Sequence, residues 1–191
     1  MPGVTHQLGE KDVLQLTGIE EPFCFRLQQG ILRVYGDFGN DAEDVTLALC
    51  SPGEVQCIHP ISGASLTLEA LTDSHFQKVQ PTNQTSIIHD WLIDMHLLRQ
   101  LVGADARIIA LFQLLVAKFG YRHKENYSLP FWISHSRMAE MAATSRGTIT
   151  RQITLLRKNQ DLIIDEEHGG FLISSRLMDV NAMIIDRHFG N

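Results

Sequence analysis

Between Ile133 and Lys158 the chain carries Arg137, Arg146, Arg151, Arg157 and Lys158 against one acid, Glu140. Arg146, Thr150 and Arg151 are spaced to lie together on the outward side of a helix, near its N-terminal half. An arginine guanidinium can donate two hydrogen bonds to guanine O6 and N7, and each such pair is worth about 1–3 kcal/mol of discrimination against a wrong base. The chemistry these residues suit is base reading in the major groove of double-stranded DNA. The hydroxyls of Ser134, Ser136, Ser145 and Thr148 are candidate phosphate contacts, which position a protein on DNA without specifying sequence. The same stretch also fits an amphipathic helical hairpin whose arginines are simply solvated.

Such a strip needs two helices to hold it. Ser134 or Ser136 can cap a short helix with Met138, Ala139 and Ala142 on its inner side, and Thr144-Ser145 can cap a second with Ile149, Ile153 and Leu156 inward. Small Ala139 at the crossing and β-branched Ile149 ten residues later suit a helix-turn-helix. Leu162–Asp165 and Phe171–Ser174, joined through Glu166–Gly170, then predict a hairpin in the position of a wing.

Upstream, Ile88, Trp91, Met95, Leu98 and Val102 recur at intervals of 3, 4, 3 and 4. That heptad-like stripe fits either a dimer seam or a helix packed on its own domain. A break is expected at Gly103. A second helix follows, with Ile108, Leu111, Phe112, Leu115, Val116 and Phe119 on one face and its end at Gly120.

From Phe23 to about Val79 the period is that of strands. Runs at 23–27, 31–35, 45–50 and 65–71 are separated by turn residues at 28–30, 37–41, 51–53 and 60–63. A small antiparallel sandwich or barrel of about six to eight strands is expected.

At 191 residues, 44% apolar and 20% charged, the composition is that of an ordinary globular protein and excludes a disordered or collagen-like chain. The formal charge of −6 is unevenly placed. Residues 1–84 hold 4 Lys/Arg against 11 Asp/Glu, whereas residues 85–191 hold 12 against 11. An acidic first half therefore conceals a basic strip in the second. No apolar run reaches the roughly 18–20 residues needed to span a bilayer, and the first ten residues have neither a basic leader nor an apolar core. A cytoplasmic protein without a membrane partner is expected. The three cysteines, Cys24, Cys50 and Cys57, match no zinc or redox spacing; they are expected to be reduced, partly buried core residues.

Other chemistries lack their residues. Three scattered cysteines cannot supply the four ligands of an iron–sulfur sensor. His59 and His75 are 16 apart, and a cupin-like site would want a close histidine pair. His89 and His96, seven apart with Asp90 and Asp94 near, would share a helix face, but solvated or hydrogen-bonded histidines are the simpler reading. With no Ser-His-Asp motif, Walker loop or dinucleotide fingerprint, no enzyme, metal site or cofactor is expected.

In the order of a β domain, a heptad-like helix and a helix-turn-helix with a wing, and above all in Ser145–Arg151 (Ser-Arg-Gly-Thr-Ile-Thr-Arg), the chain resembles the cyclic-AMP receptor protein and Fnr superfamily of bacterial transcription regulators. Within it, the chain is similar to the cyanobacterial global nitrogen regulators. The resemblance runs from about Ile87 to Ser174. It implies an α+β fold: a shortened N-terminal antiparallel β-barrel of the cyclic-nucleotide-binding jelly-roll kind over 1–83, a long dimerisation helix over 84–103, and a DNA-binding winged helix-turn-helix over 104–191. It implies a homodimer on a roughly palindromic site, with the 88–102 stripe as the interface and RNA polymerase as a further partner. It makes Arg146 and Arg151 the base-reading arginines and puts Gly147 where relatives often carry a larger reader. Ala143 stands where the turn usually has glycine, and Gln152 replaces an apolar residue, so inner packing must lean on Ile149 and Ile153.

Relatives that bind cyclic nucleotides hold the phosphate with a short helix, a Gly-Glu start and an arginine. Gly53–Ser65 is short, proline-interrupted and free of arginine, and a phosphate needs a cationic or helix-N-terminal partner to offset its desolvation. Gating by cyclic AMP is therefore not expected, and no other effector is identified. The competing reading is a ligand-sensing or protein-interaction module whose winged helix docks a protein.

Overall fold

The computed structural model describes residues 5–17, 20–39, 44–53, 55–81, 86–167 and 169–179. Asn40, Asp41, Glu54 and His168, which belong to segments discussed above, lie outside them. The chain forms two compact units, Met1–Ile93 and Asp94–Asn191.

The first unit contains eight strands among its described residues: β1 (Thr5–Leu8), β2 (Val13–Leu16), β3 (Phe23–Gln29), β4 (Leu32–Asp37), β5 (Val45–Cys50), β6 (Val55–Ile58), β7 (Ser65–Ala70) and β8 (Ser74–Val79). They make two four-stranded antiparallel sheets, ordered β1-β8-β3-β6 and β2-β7-β4-β5, which is the connectivity of a jelly roll. The core is aromatic on one sheet, where Phe25 and Phe76 meet at 5.5 Å and Phe23 joins them. It is aliphatic on the other, where Leu32, Val34, Leu66 and Leu68 are buried. Strands β3, β4, β5 and β7 are the four read from the sequence. The other four are short or polar, and β8 buries only Ser74 and Phe76 of its six residues.

The cysteine expectation needs correction. Cys24 on β3 and Cys57 on β6 are directly opposite in the strand register, and they form a disulfide. Thirty-three residues separate them in sequence, so only the pairing of strands reveals the contact. Cys50 is the free cysteine and is buried; burial in apolar surroundings pushes its thiol pKa up and keeps it protonated.

Helix α1 (Ile87–Arg99) begins in the first unit and ends in the second. Ile88, Trp91, Met95 and Leu98 are buried within the single chain, and the Trp91 indole donates to the Leu49 carbonyl at 2.8 Å. Val102 falls beyond the helix end and is 95% exposed. The opposite face is the open one, with Leu92 48% and Leu97 38% exposed on either side of exposed His89 and His96.

The second unit is built around α2 (Ala104–Phe119). Its buried residues include Gln113 and Leu114 as well as the expected apolar face apart from Phe119, which is half-buried, so it is packed on most sides. At its start, Gly103 adopts φ +94, and a Cβ there would sit 2.8 Å from the Asp105 carboxylate, so the break between the helices needs glycine. A four-stranded antiparallel sheet, ordered β11-β12-β10-β9, comprises β9 (Tyr121–His123), β10 (Asn126–Leu129), β11 (Leu162–Asp165) and β12 (Gly170–Ser174). Strands β9 and β10 leave no mark in the sequence, because three or four half-polar residues carry little periodicity. A Cβ on Gly170 would collide with the Leu129 carbonyl, so glycine allows β12 to close on the end of β10. The remaining helices are α3 (His135–Met141), α4 (Arg146–Lys158) and the short α5 (Ser175–Met178). No helix among the described residues is long and apolar enough to cross a membrane.

Candidate nucleic-acid interface

Two local signals start α3 and α4. Ser134 has extended backbone and its hydroxyl accepts the Arg137 N–H, while Ser145 does the same for the Thr148 N–H. Each cap satisfies one of the N–H groups a helix start leaves unpaired. Met138, Ala139 and Met141 of α3, Ala142 just past its end, and Ile149, Ile153 and Leu156 of α4 are all buried. Gln152 is only half-buried, so Ile149 and Ile153 do the inner packing on their side of the helix.

The turn between them is a Schellman motif. The Thr144 N–H reaches the Ala139 carbonyl at 2.9 Å and the Ala143 N–H reaches that of Glu140 at 3.2 Å. Ala143 sits at φ +48, a conformation that glycine adopts without a Cβ penalty. Two arginines from elsewhere in the unit stiffen this corner. Arg99 donates to the carbonyls of Met141 and Glu140, and Arg107 donates to those of Ala142 and Ala143 while also holding Leu101. They satisfy carbonyls that end α3 and place positive charge at its negative pole. Nothing in the sequence marked Arg99 or Arg107 for this task.

Against that support, α4 presents Arg146, Gly147, Thr150 and Arg151, all exposed. The Arg146 guanidinium has no partner among the described residues. Arg151 rests one nitrogen on the Thr148 hydroxyl at 3.2 Å, which in turn lies 2.9 Å from Ser145 Oγ. The reach of Arg151 is thus pre-set by a chain of hydroxyls on the helix's first turn. Ser134, Ser136 and Ser145 are exposed beside helix starts, and Thr148 is half-buried. One participant had no sequence signal: His135 Nδ1 lies 3.0 Å from the Thr150 hydroxyl oxygen, across fifteen residues. The hairpin of β11 and β12 pairs Leu162 with Ile173 through Asp165 with Gly170. Its tip carries exposed Glu166 and Glu167, which do not suit a phosphate.

One arginine of the first unit is engaged differently. Arg33, only 3% exposed, donates to Glu69 at 3.0 Å, to Thr46 at 2.9 Å and to the Asp44 carbonyl. The described part of Gly53–Ser65 forms β6 and a turn. No group of three His, Cys, Asp or Glu among the described residues is arranged to hold a metal ion.

A CRP-family transcriptional regulator from Thermus thermophilus superposes with a TM-score of 0.63 at 18% identity, covering 97% of both chains. The chain has the CRP/FNR fold. FixK2 from Bradyrhizobium japonicum matches at a TM-score of 0.65 and 17% identity, over 95% of this chain and 98% of its own. A cyclic nucleotide-binding domain containing protein from Listeria monocytogenes matches at 0.67 and 14%, over 92% and 90%. No family model matches the sequence, and no curated protein does.

Proposed function

We propose that the chain is a sequence-specific, DNA-binding transcription regulator that works as a homodimer on a roughly palindromic site. The observation that carries this reading is α4: a doubly supported helix, capped by Ser145 and packed on α3, that leaves Arg146 and Arg151 exposed on one side. In this reading α3, α4 and the β11–β12 hairpin form a winged helix-turn-helix, with α4 in the major groove. Arg146 and Arg151 read guanines, Gly147 and Thr150 face the bases between them, and Ser134, Ser136, Ser145 and Thr148 approach phosphates. With acidic Glu166 and Glu167 at its tip, the wing adds no phosphate clamp, so affinity rests on few cations and specificity on the arginines.

The dimer forms along α1. Its buried side is taken up inside the chain, so the contact falls on the side that carries Leu92 and Leu97. A helix with apolar residues on two sides needs two packing partners. The two recognition helices then meet successive major-groove faces about 34–36 Å apart. Cyclic AMP does not gate the protein: Gly53–Ser65 lacks an arginine, and buried Arg33 is committed to Glu69 and Thr46. Leu155 and Ile163, exposed on α4 and β11, are the observation that favours the other reading, a winged helix that docks a protein; within the first reading they suit contact with RNA polymerase.

The two readings separate in a binding experiment on random genomic fragments across a salt series. DNA binding through phosphates weakens steeply with salt. Arg146→Ala and Arg151→Ala should each relax preference at one base position by about 1–3 kcal/mol. Unchanged selected sites in both variants would overturn the assignment of α4.

A further inference from the structure

The hydroxyl of Thr150 sits in the middle of the exposed strip and has one proton to give. It gives it to the Arg146 carbonyl at 3.0 Å, one turn back in the same helix. With that proton committed, His135 at 3.0 Å is the donor in its contact with the same oxygen, through Nδ1–H. The threonine therefore has no hydrogen left for a base acceptor, and one of its oxygen lone pairs is also used. What it offers the groove is its methyl group. The neighbouring positions agree. Thr154, one turn on and exposed, spends its own proton on the Thr150 carbonyl at 2.8 Å. Gly147 has no side chain, and a Cβ there would meet only Ser145 Oγ, at 3.8 Å. Between the two arginines the strip is apolar and free of carboxylates and hydroxyl donors.

We infer that Thr150, held in this orientation by His135, reads the C5-methyl group of a thymine lying between the bases contacted by Arg146 and Arg151. The inference rests on the DNA-binding reading above and deepens it by naming the base. Thymine is the base that displays a methyl in the major groove. Threonine is often counted as a polar reader that can serve any base; here its committed proton removes the donor, and the bare Gly147 supplies no other reader beside it. The strip carries no carboxylate to accept a hydrogen bond from a cytosine amine, and the Thr150 oxygen keeps a single lone pair beside its methyl group. His135 is a positioning residue: it acts on the bases through Thr150.

The test uses the full-length protein and its own preferred site, obtained by selection from random duplex DNA. Each thymine of that site is replaced in turn by deoxyuridine, which removes the methyl group alone. One thymine per half-site is expected to show a loss of about three- to fivefold, the ratio for burying one methyl-sized group. Thr150→Ser, which keeps the hydroxyl and drops the methyl, should bind the thymine and deoxyuridine sites equally. Thr150→Val, which keeps a methyl and drops the hydroxyl, should retain the preference for thymine. His135→Ala should reduce the thymine-to-deoxyuridine ratio, and His135→Asn, whose amide nitrogen can replace Nδ1 as donor, should restore it. Thr150 is exposed and His135 half-buried, and the thermal midpoints of the four variants report whether folding is intact. Selective binding that is indifferent to deoxyuridine at every position overturns the inference and leaves the DNA reading standing; so does a Thr150→Ser protein that still prefers thymine. Failure to bind DNA in a salt-sensitive manner overturns both.

Discussion

Arg33 of the β unit and the pair Arg146 and Arg151 of the C-terminal unit are used in opposite ways. In the first, Arg33 is enclosed between β4, β5 and β7, and Glu69, Thr46 and the Asp44 carbonyl take up its donors. In the second, Arg146 and Arg151 stand in solvent on a helix whose start is capped and whose inner face is buried. A guanidinium taken out of water must be matched by partners, and Arg33 finds its partners in its own strands and the adjoining backbone. An arginine left in water keeps its donors, and what makes it useful is the rigidity of the backbone beneath it. Arg99, exposed, and Arg107, half-buried, lie between these cases: they spend donors on carbonyls of α3 and its turn and give the corner its firmness.

That contrast can be broken by experiment. Arg33→Ala leaves Glu69 buried without its cation and should cost about 3–5 kcal/mol of stability by denaturant titration. In the same titration Arg146→Ala should stay within about 0.5 kcal/mol of the parent. Comparable losses in both would show that the exposed arginine is structural. Removing the Cys24–Cys57 bridge, by reductant or by Cys24→Ser with Cys57→Ser, should lower stability by about 2–4 kcal/mol. Equal midpoints with and without reductant would show that strand pairing alone holds the β unit there. Ser145→Ala removes the cap of α4 and should cost about 1 kcal/mol, together with looser site preference because Arg151 loses the end of its hydroxyl chain. The smallest effect has the opposite sign: Ala143→Gly should raise stability by about 0.5–1 kcal/mol, relieving an alanine held at positive φ. A destabilised glycine variant would mean that the alanine methyl contributes contacts worth more than the strain.

Much of the second unit was legible because its signals are short-range. Ser134 and Ser145 cap helices whose first turns follow at once, and Met138, Ala139, Ile149, Ile153 and Leu156 repeat at helical spacing. The hairpin of β11 and β12 announced itself through Gly169-Gly170 between apolar runs. The β unit was half legible. Strands β3, β4, β5 and β7 are rich in apolar residues, whereas β1, β2 and β6 are four residues long and β8 is mostly polar. The stripe on α1 was visible, but apolar residues on both sides of one helix cannot say which side meets the chain's own core.

The sequence by itself determined that two capped helices make up the candidate interface, which side of each turns inward, and that Arg146 and Arg151 remain outside. Those properties depend on residues within about four positions of one another, and helical geometry converts such spacing directly into neighbourhood. Only the tertiary structure decided that Cys24 faces Cys57, that Arg99 and Arg107 brace the end of α3, that α1 spends Trp91 inside the chain, and that His135 takes up an acceptor site of Thr150. Each of these joins groups brought together by strand register or by the packing of separate helices. A polar group finds its partner there only after the chain has closed around it.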